Sequence, residues 1–134
     1  MYSAPAVYQS PSGPVYVYVG LPDGMYAYTL PTTGATSQLT AVWKANLSLG
    51  GEGTSAVIRA GVLHVAASNE LVALNATTGA TLGSAPIGGV HWESPMIARG
   101  VVYVTDENDN LTAFEIVPNA SGQSRMRLQP EFHR

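Results

Sequence analysis

Short apolar runs, broken every few positions by glycine, proline or a polar turn, set the grain of this chain. Residues 15–20 (VYVYVG), 25–30 (MYAYTL), 62–68 (VLHVAAS) and 101–105 (VVYVT) are rich in β-branched and aromatic side chains. Runs of about five to seven such residues bounded by turn signals predict strands. Several are apolar at nearly every position instead of alternating, so both faces of those strands are expected to be covered. Pro22-Asp23-Gly24, Thr32-Thr33-Gly34 and Thr77-Thr78-Gly79 mark tight turns. Fourteen glycines and nine prolines are spread so evenly that no room is left for a long amphipathic helix. The pattern is all-β with short connections.

The pattern also repeats. An opening strand reads Ala4-Pro5-Ala6-Val7, then Ser55-Ala56-Val57-Ile58, then Ser94-Pro95-Met96-Ile97. The next strand recurs as Val17-Tyr18-Val19, Leu63-His64-Val65 and Val102-Tyr103-Val104, and the third as Tyr26-Ala27-Tyr28, Val72-Ala73-Leu74 and Thr112-Ala113-Phe114. His64 and Tyr103 are 39 residues apart, and Tyr18 and His64 are 46 apart, the excess lying around residues 37–43. Fourth strands are expected at 40–47, 80–86 and, more weakly, 124–129. A period of about 40–45 residues with four short strands per unit is that of a β-propeller blade. The alternative is a sandwich of twelve short strands. The fold expected is therefore three four-stranded antiparallel blades of a partial β-propeller, about twelve strands, with blades at 3–48, 54–87 and 93–130.

The second copy, Ala60-Gly61-Val62-Leu63-His64-Val65 through Leu71-Val72-Ala73-Leu74-Asn75-Ala76-Thr77-Thr78-Gly79, resembles the repeat of pyrroloquinoline-quinone-type, or quinoprotein-like, β-propellers. The first copy matches with Pro5-Ala6-Val7, Tyr18-Val19-Gly20, Tyr26-Ala27-Tyr28, Thr33-Gly34 and Trp43, and the third with Ser94-Pro95, Gly100 to Val104 and Leu111 to Phe114. The likeness runs from residue 3 to about 116. The tryptophan that closes the repeat is absent from the second copy, where Leu82-Gly83 stands, and from the third. The Asp that precedes Thr-Gly in the family is Asn75 in the second copy and Thr29 in the first. In the quinoprotein enzymes those residues knit neighbouring blades, so the resemblance implies a looser, non-enzymatic member. It further implies an extracytoplasmic location, although the Met1 end lacks the layout of a signal peptide.

Composition narrows the chemistry. One lysine and five arginines against nine carboxylates give a net charge of −3, which offers no basic footprint to nucleic acid. Without cysteine, disulfides, thiolate metal sites and cysteine nucleophiles are excluded. No apolar run reaches the ~18 residues of a membrane span. No Gly-x-Ser-x-Gly elbow, phosphate loop or paired-carboxylate motif is present. A quinone cofactor is not expected, because the basic residues and vicinal cysteines of the quinoprotein dehydrogenases cannot be assigned here.

Five groups of residues remain as candidates. His91-Trp92-Glu93 lies in the connection from the second copy to the third, while the corresponding stretch one copy earlier is Glu52-Gly53-Thr54. An aromatic residue that the repeat does not demand suits a contact with a protein partner, and the alternative is a Trp packed over the blade junction. Asp106, Glu107 and Asp109 form the densest oxygen cluster and are weak candidates for Ca²⁺, though a solvated hairpin turn accounts for them more simply. His64 aligns with two tyrosines and reads as a packing residue with a polar tip. His91 and His133 have no second histidine at zinc-ligand spacing. Four of the six asparagines, at 46, 75, 110 and 119, stand in Asn-x-Ser/Thr, which is both a glycosylation acceptor and ordinary turn chemistry.

The reading is of a non-catalytic propeller scaffold that binds a protein or ligand through blade-connecting loops, with no cofactor. The alternatives are a fragment of a quinoprotein dehydrogenase whose active site lies in other blades, and a structural segment of a larger cell-surface propeller. Propellers close with 4–8 blades, so three blades are expected to self-associate, for instance as a dimer closing six blades, or to be completed by missing blades of a longer chain.

Overall fold

The computed structural model describes residues 3–31, 38–49, 54–118, 124–128 and 132–133. The expected turn at Thr32-Thr33-Gly34, the comparison stretch at Glu52-Gly53, the acceptor at Asn119 and the end of the twelfth strand at Gln129 fall outside them. Thirteen strands are present among the described residues. β1 (Ala6–Gln9), β2 (Val15–Leu21), β3 (Gly24–Thr29) and β4 (Thr40–Ala45) form a first antiparallel sheet in chain order. β5 (Val57–Arg59), β6 (Val62–Ala67), β7 (Glu70–Asn75) and β8 (Thr81–Pro86) form a second. β9 (Met96–Ala98), β10 (Val101–Thr105), β11 (Asn110–Pro118) and β12 (Ser124–Leu128) form a third. β13 (Phe132–His133) pairs with the start of β11 beside Asn110 and Leu111. This thirteenth strand was not expected.

The sheets repeat in detail. Tyr18 pairs with Ala27 and Ala27 with Trp43, while His64 pairs with Ala73 and Ala73 with Gly83. The pairing of third strand with fourth shifts register at the same place in both, between Ala27 and Tyr28 in one and between Ala73 and Leu74 in the other. The opening strands begin two residues later than the sequence pattern predicts. Residues just ahead of them are engaged otherwise. Ala4 N donates to Ser55 Oγ (2.7 Å), and Ser55 N donates to Ser94 Oγ (2.9 Å), so each opening segment is tied to the next. β1, β5 and β9 consequently lie side by side.

The sheets stack face to face on two apolar layers. One contains Tyr16, Tyr18, Met25 and Leu49 against Leu63, Val65, Val72 and Leu74. The other contains Ala66 and Leu71 against Val102, Val104 and Phe114. The second sheet therefore contributes to both, and all six residues of β6 are buried. β2 instead alternates buried and half-buried positions, because the first sheet is covered on one face. Val7 and Val42 on this sheet, and Leu30 and Leu39 at its margin, are exposed. A repeat of this kind is stable through its neighbours more than by itself.

The two junctions differ. In the first, Tyr18 Oη (2.9 Å) and Trp43 Nε1 (3.0 Å) both donate to the Ala76 carbonyl of the second sheet. Trp43 lies on Gly79 (φ +74°) so closely that a side chain there would collide with the indole. Asn75 Oδ1 shapes that turn by accepting from Thr77 N, Thr77 Oγ1 and Thr78 N, which is the turn chemistry of its Asn-x-Thr motif. The loose packing implied by the resemblance is thus corrected for this junction. Between the second and third sheets the equivalent positions carry His64 and Gly83, and no such clasp forms among the described residues.

Candidate functional site

The connection from β8 to β9 is built on a rigid base. Ile87 N and Val90 N donate to the carbonyls of Asn69 and Ser68 in the hairpin of the second sheet, each at 2.9 Å. Gly88 N donates to Asp106 Oδ2 (2.9 Å), and Glu107 N donates to the Gly89 carbonyl (2.9 Å), both in the hairpin of the third sheet. Gly88 is required here, since a Cβ would run into the Asp106 carboxylate. Val90 is buried, as is Leu49 at the corresponding place one repeat earlier, where Leu49 N donates to the Pro22 carbonyl (3.3 Å). The chain therefore leaves an anchored valine and turns directly into His91-Trp92-Glu93.

Those three residues organise one another. Glu93 Oε2 accepts from His91 N (2.6 Å) and Trp92 N (3.0 Å). Partial burial pushes the Glu93 carboxyl up, but the backbone N–H groups of His91, Glu93 and Trp92 outweigh it and hold it below the usual range. The His91 ring meets the Trp92 ring edge-on at 4.3 Å, and His91 Nδ1 stands 3.8 Å from Glu107 Oε1. Trp92 itself is 63% exposed.

Asp106 is not a solvated turn residue. It is 7% exposed, and its Oδ1 accepts from Asn108 N (2.9 Å), Asn110 N (3.2 Å) and Asn110 Nδ2 (3.2 Å), while Oδ2 accepts from Gly88 N. Burial raises its pKa, and the bonds from Asn110, Asn108 and Gly88 more than offset that and leave it lowered. Its carboxylate closes the β10–β11 hairpin and pins the incoming connection. Glu107 turns toward His91, and Asp109 occupies a left-handed position (φ 61°) in the same turn. Among the described residues no three His, Asp or Glu side chains gather as a metal would need.

His64 is a packing residue, as expected, but its tip is not satisfied. It is fully buried, and neither ring nitrogen has a hydrogen-bond partner among the described residues. Burial therefore lowers its pKa to about 4 and keeps the ring neutral. Its polar tip reaches nothing, unlike the hydroxyl of the aligned Tyr18. His133 lies in β13, and nothing further is described of its side chain.

Sheets of repeated four-strand antiparallel order, opening strands side by side and an aromatic clasp between sheets define a protein of the propeller-repeat class. Residues 11–119 match the family described as outer membrane protein assembly factor BamB, a family of pyrroloquinoline-quinone-like repeats. The chain belongs to that family. No curated protein matches it in sequence. Among the described residues no helix is long and apolar enough to cross a membrane.

Proposed function

We propose that this chain is a non-catalytic propeller scaffold, acting outside the cytoplasm, that docks a protein partner through His91, Trp92 and Glu93. The observation that carries the reading is a tryptophan left 63% exposed on a backbone fixed at both ends. Exposed aromatic side chains on a pre-ordered base lose little freedom on binding and dominate interface energetics. The family's description, as an assembly factor for outer membrane proteins, supports a partner of that kind. A photoreactive amino acid at exposed position 96, beside the loop, is expected to give a discrete adduct with an outer-membrane assembly component, and Trp92→Ala is expected to remove it. Adducts no different from those formed at exposed position 23 would overturn the reading. Saturable binding of pyrroloquinoline quinone in the presence of Ca²⁺, followed by cofactor absorbance, would instead favour the dehydrogenase alternative.

A second element of the proposal concerns completion of the ring. Units at 3–48, 54–87 and 93–130 are too few to close, and exposure of Val7 and Val42 on the first sheet, with Leu30 and Leu39 at its margin, supports a further blade covering that sheet. Two copies closing six blades is the form we favour. Light scattering at micromolar concentration is expected to give twice the 14.0 kDa chain mass, and a clean monomer would remove the dimer.

A further inference from the structure

The registers of the first two sheets place four pairs of residues at equivalent points. Tyr8 corresponds to Arg59, Tyr16 to Val62, Tyr18 to His64 and Trp43 to Gly83. On the side facing the following sheet, the first member of each pair is aromatic and none of the second members is a carbocyclic aromatic. The facing walls correspond as well, with Gly61, Asn75 and Ala76 of the second sheet matching Gly100, Glu115 and Ile116 of the third. Tyr8 lies over Gly61 in one junction, and the Arg59 guanidinium lies over Gly100 in the other.

Where the first junction is filled by stacked and tilted rings, with Tyr16 and Tyr18 6.1 Å apart and Tyr18 and Trp43 5.7 Å apart, the second holds a cleft. Its volume is about 330 Å³. That is well above the ~30 Å³ share of one liquid water and at the lower end of the ~300–1,000 Å³ of small-molecule sites. Val62, Val101 and Ile116 supply apolar wall, and Arg59, Arg99 and Glu115 supply the charge. Arg99 is held at φ 50° in a two-residue turn with Gly100 (φ 83°), so its backbone is fixed by the hairpin. His64 lies two residues beyond Val62 on the same face of β6, buried and without a hydrogen-bond partner among the described residues.

We infer that the cleft between the second and third sheets is a binding site for a small aromatic carboxylate. The ring replaces the aromatic side chains that the repeat omits at this junction, and the carboxylate is taken by Arg59 and Arg99. Among the described lining residues, two guanidiniums against one carboxylate give a net positive charge, and their planar forks suit a carboxylate.

The test uses indole-3-carboxylate and its neutral counterpart indole as probes, with the 134-residue chain followed by amide NMR. Indole-3-carboxylate is expected to shift Val62, Gly100, Val101 and Ile116 saturably. Arg59→Ala and Arg99→Ala are each expected to weaken it by about tenfold, the scale of a lost charge-assisted bond. The double variant Val62→Tyr/Gly83→Trp is expected to abolish binding by refilling the space. Nothing stands within 4 Å of a Cβ built on Gly83, so that position accepts a side chain. If the double variant does not fold, Val62→Tyr alone serves. No saturable shift at these residues would overturn the site, and equal binding of neutral indole would overturn its anion preference. Undiminished binding by the folded Val62→Tyr variant would likewise overturn the placement of the ring.

Discussion

Lowering the pH is expected to weaken this fold through His64 before any carboxylate contributes. Burial without partners brings its pKa from 6.5 to about 4. Below pH 6.5 the unfolded chain takes up a proton that the folded chain refuses until near pH 4. Stability is therefore full above the unfolded value and is lost progressively as pH falls toward the folded one. At about 1.4 kcal/mol per pH unit, the loss is about 2 kcal/mol at pH 5 and roughly 3 kcal/mol at pH 4. Asp23, Glu93 and Asp106, whose pKa values are lowered, add their share only in more acid solution. The assay is urea unfolding near pH 7.5 and near pH 5, comparing the chain with His64→Leu. The variant removes two unpartnered buried nitrogens and is expected to be about 1–3 kcal/mol more stable at neutral pH. Its advantage is expected to widen by about 2 kcal/mol at the lower pH. An advantage that stays constant between the two would refute the argument, because the ring would then titrate alike in both states.

Other outcomes follow from the same contacts. Trp43→Ala is expected to cost about 3 kcal/mol by urea unfolding, since it empties the first junction and removes one of two donors to the Ala76 carbonyl. Asp106→Ala is expected to cost about 2–3 kcal/mol, as Gly88 N and Asn108 N lose their acceptor. Gly88→Ala is expected to destabilise by about 2 kcal/mol through its collision with the same carboxylate. Trp92→Ala is expected to leave the unfolding midpoint within about 0.5 kcal/mol of the original while removing partner capture, and a large drop in stability would place Trp92 in the core.

Strands were legible because each is a local run of β-branched and aromatic residues cut by turns, and the sheets were legible because the runs recur. β13 was not, since two residues, Phe132 and His133, form no pattern until β11 lies beside them. The tryptophan loop stood out because the repeat gave no reason for it. Asp106 was misread because its sequence neighbours are all polar, while the group that buries it, Gly88, comes from 18 residues earlier. The cleft was present in the sequence as separate facts, His64 under Tyr18 and Gly83 under Trp43. That these fall on one face of one sheet depends on register, and on a shift in pairing that no residue type announces.

The serine bonds between opening segments have a consequence for how the array is continued. Both point the same way, each unit giving its N–H forward to the hydroxyl of the next. The array thus has a sense of rotation written in hydrogen bonds, and its two flanks are not equivalent. A unit set after the third sheet extends the relay if it brings a hydroxyl opposite Ser94 N. A unit set before the first meets Ala4, whose methyl group accepts nothing. Wherever a ring is closed through Ala4, that seam lacks the serine bond that both joints inside the chain carry.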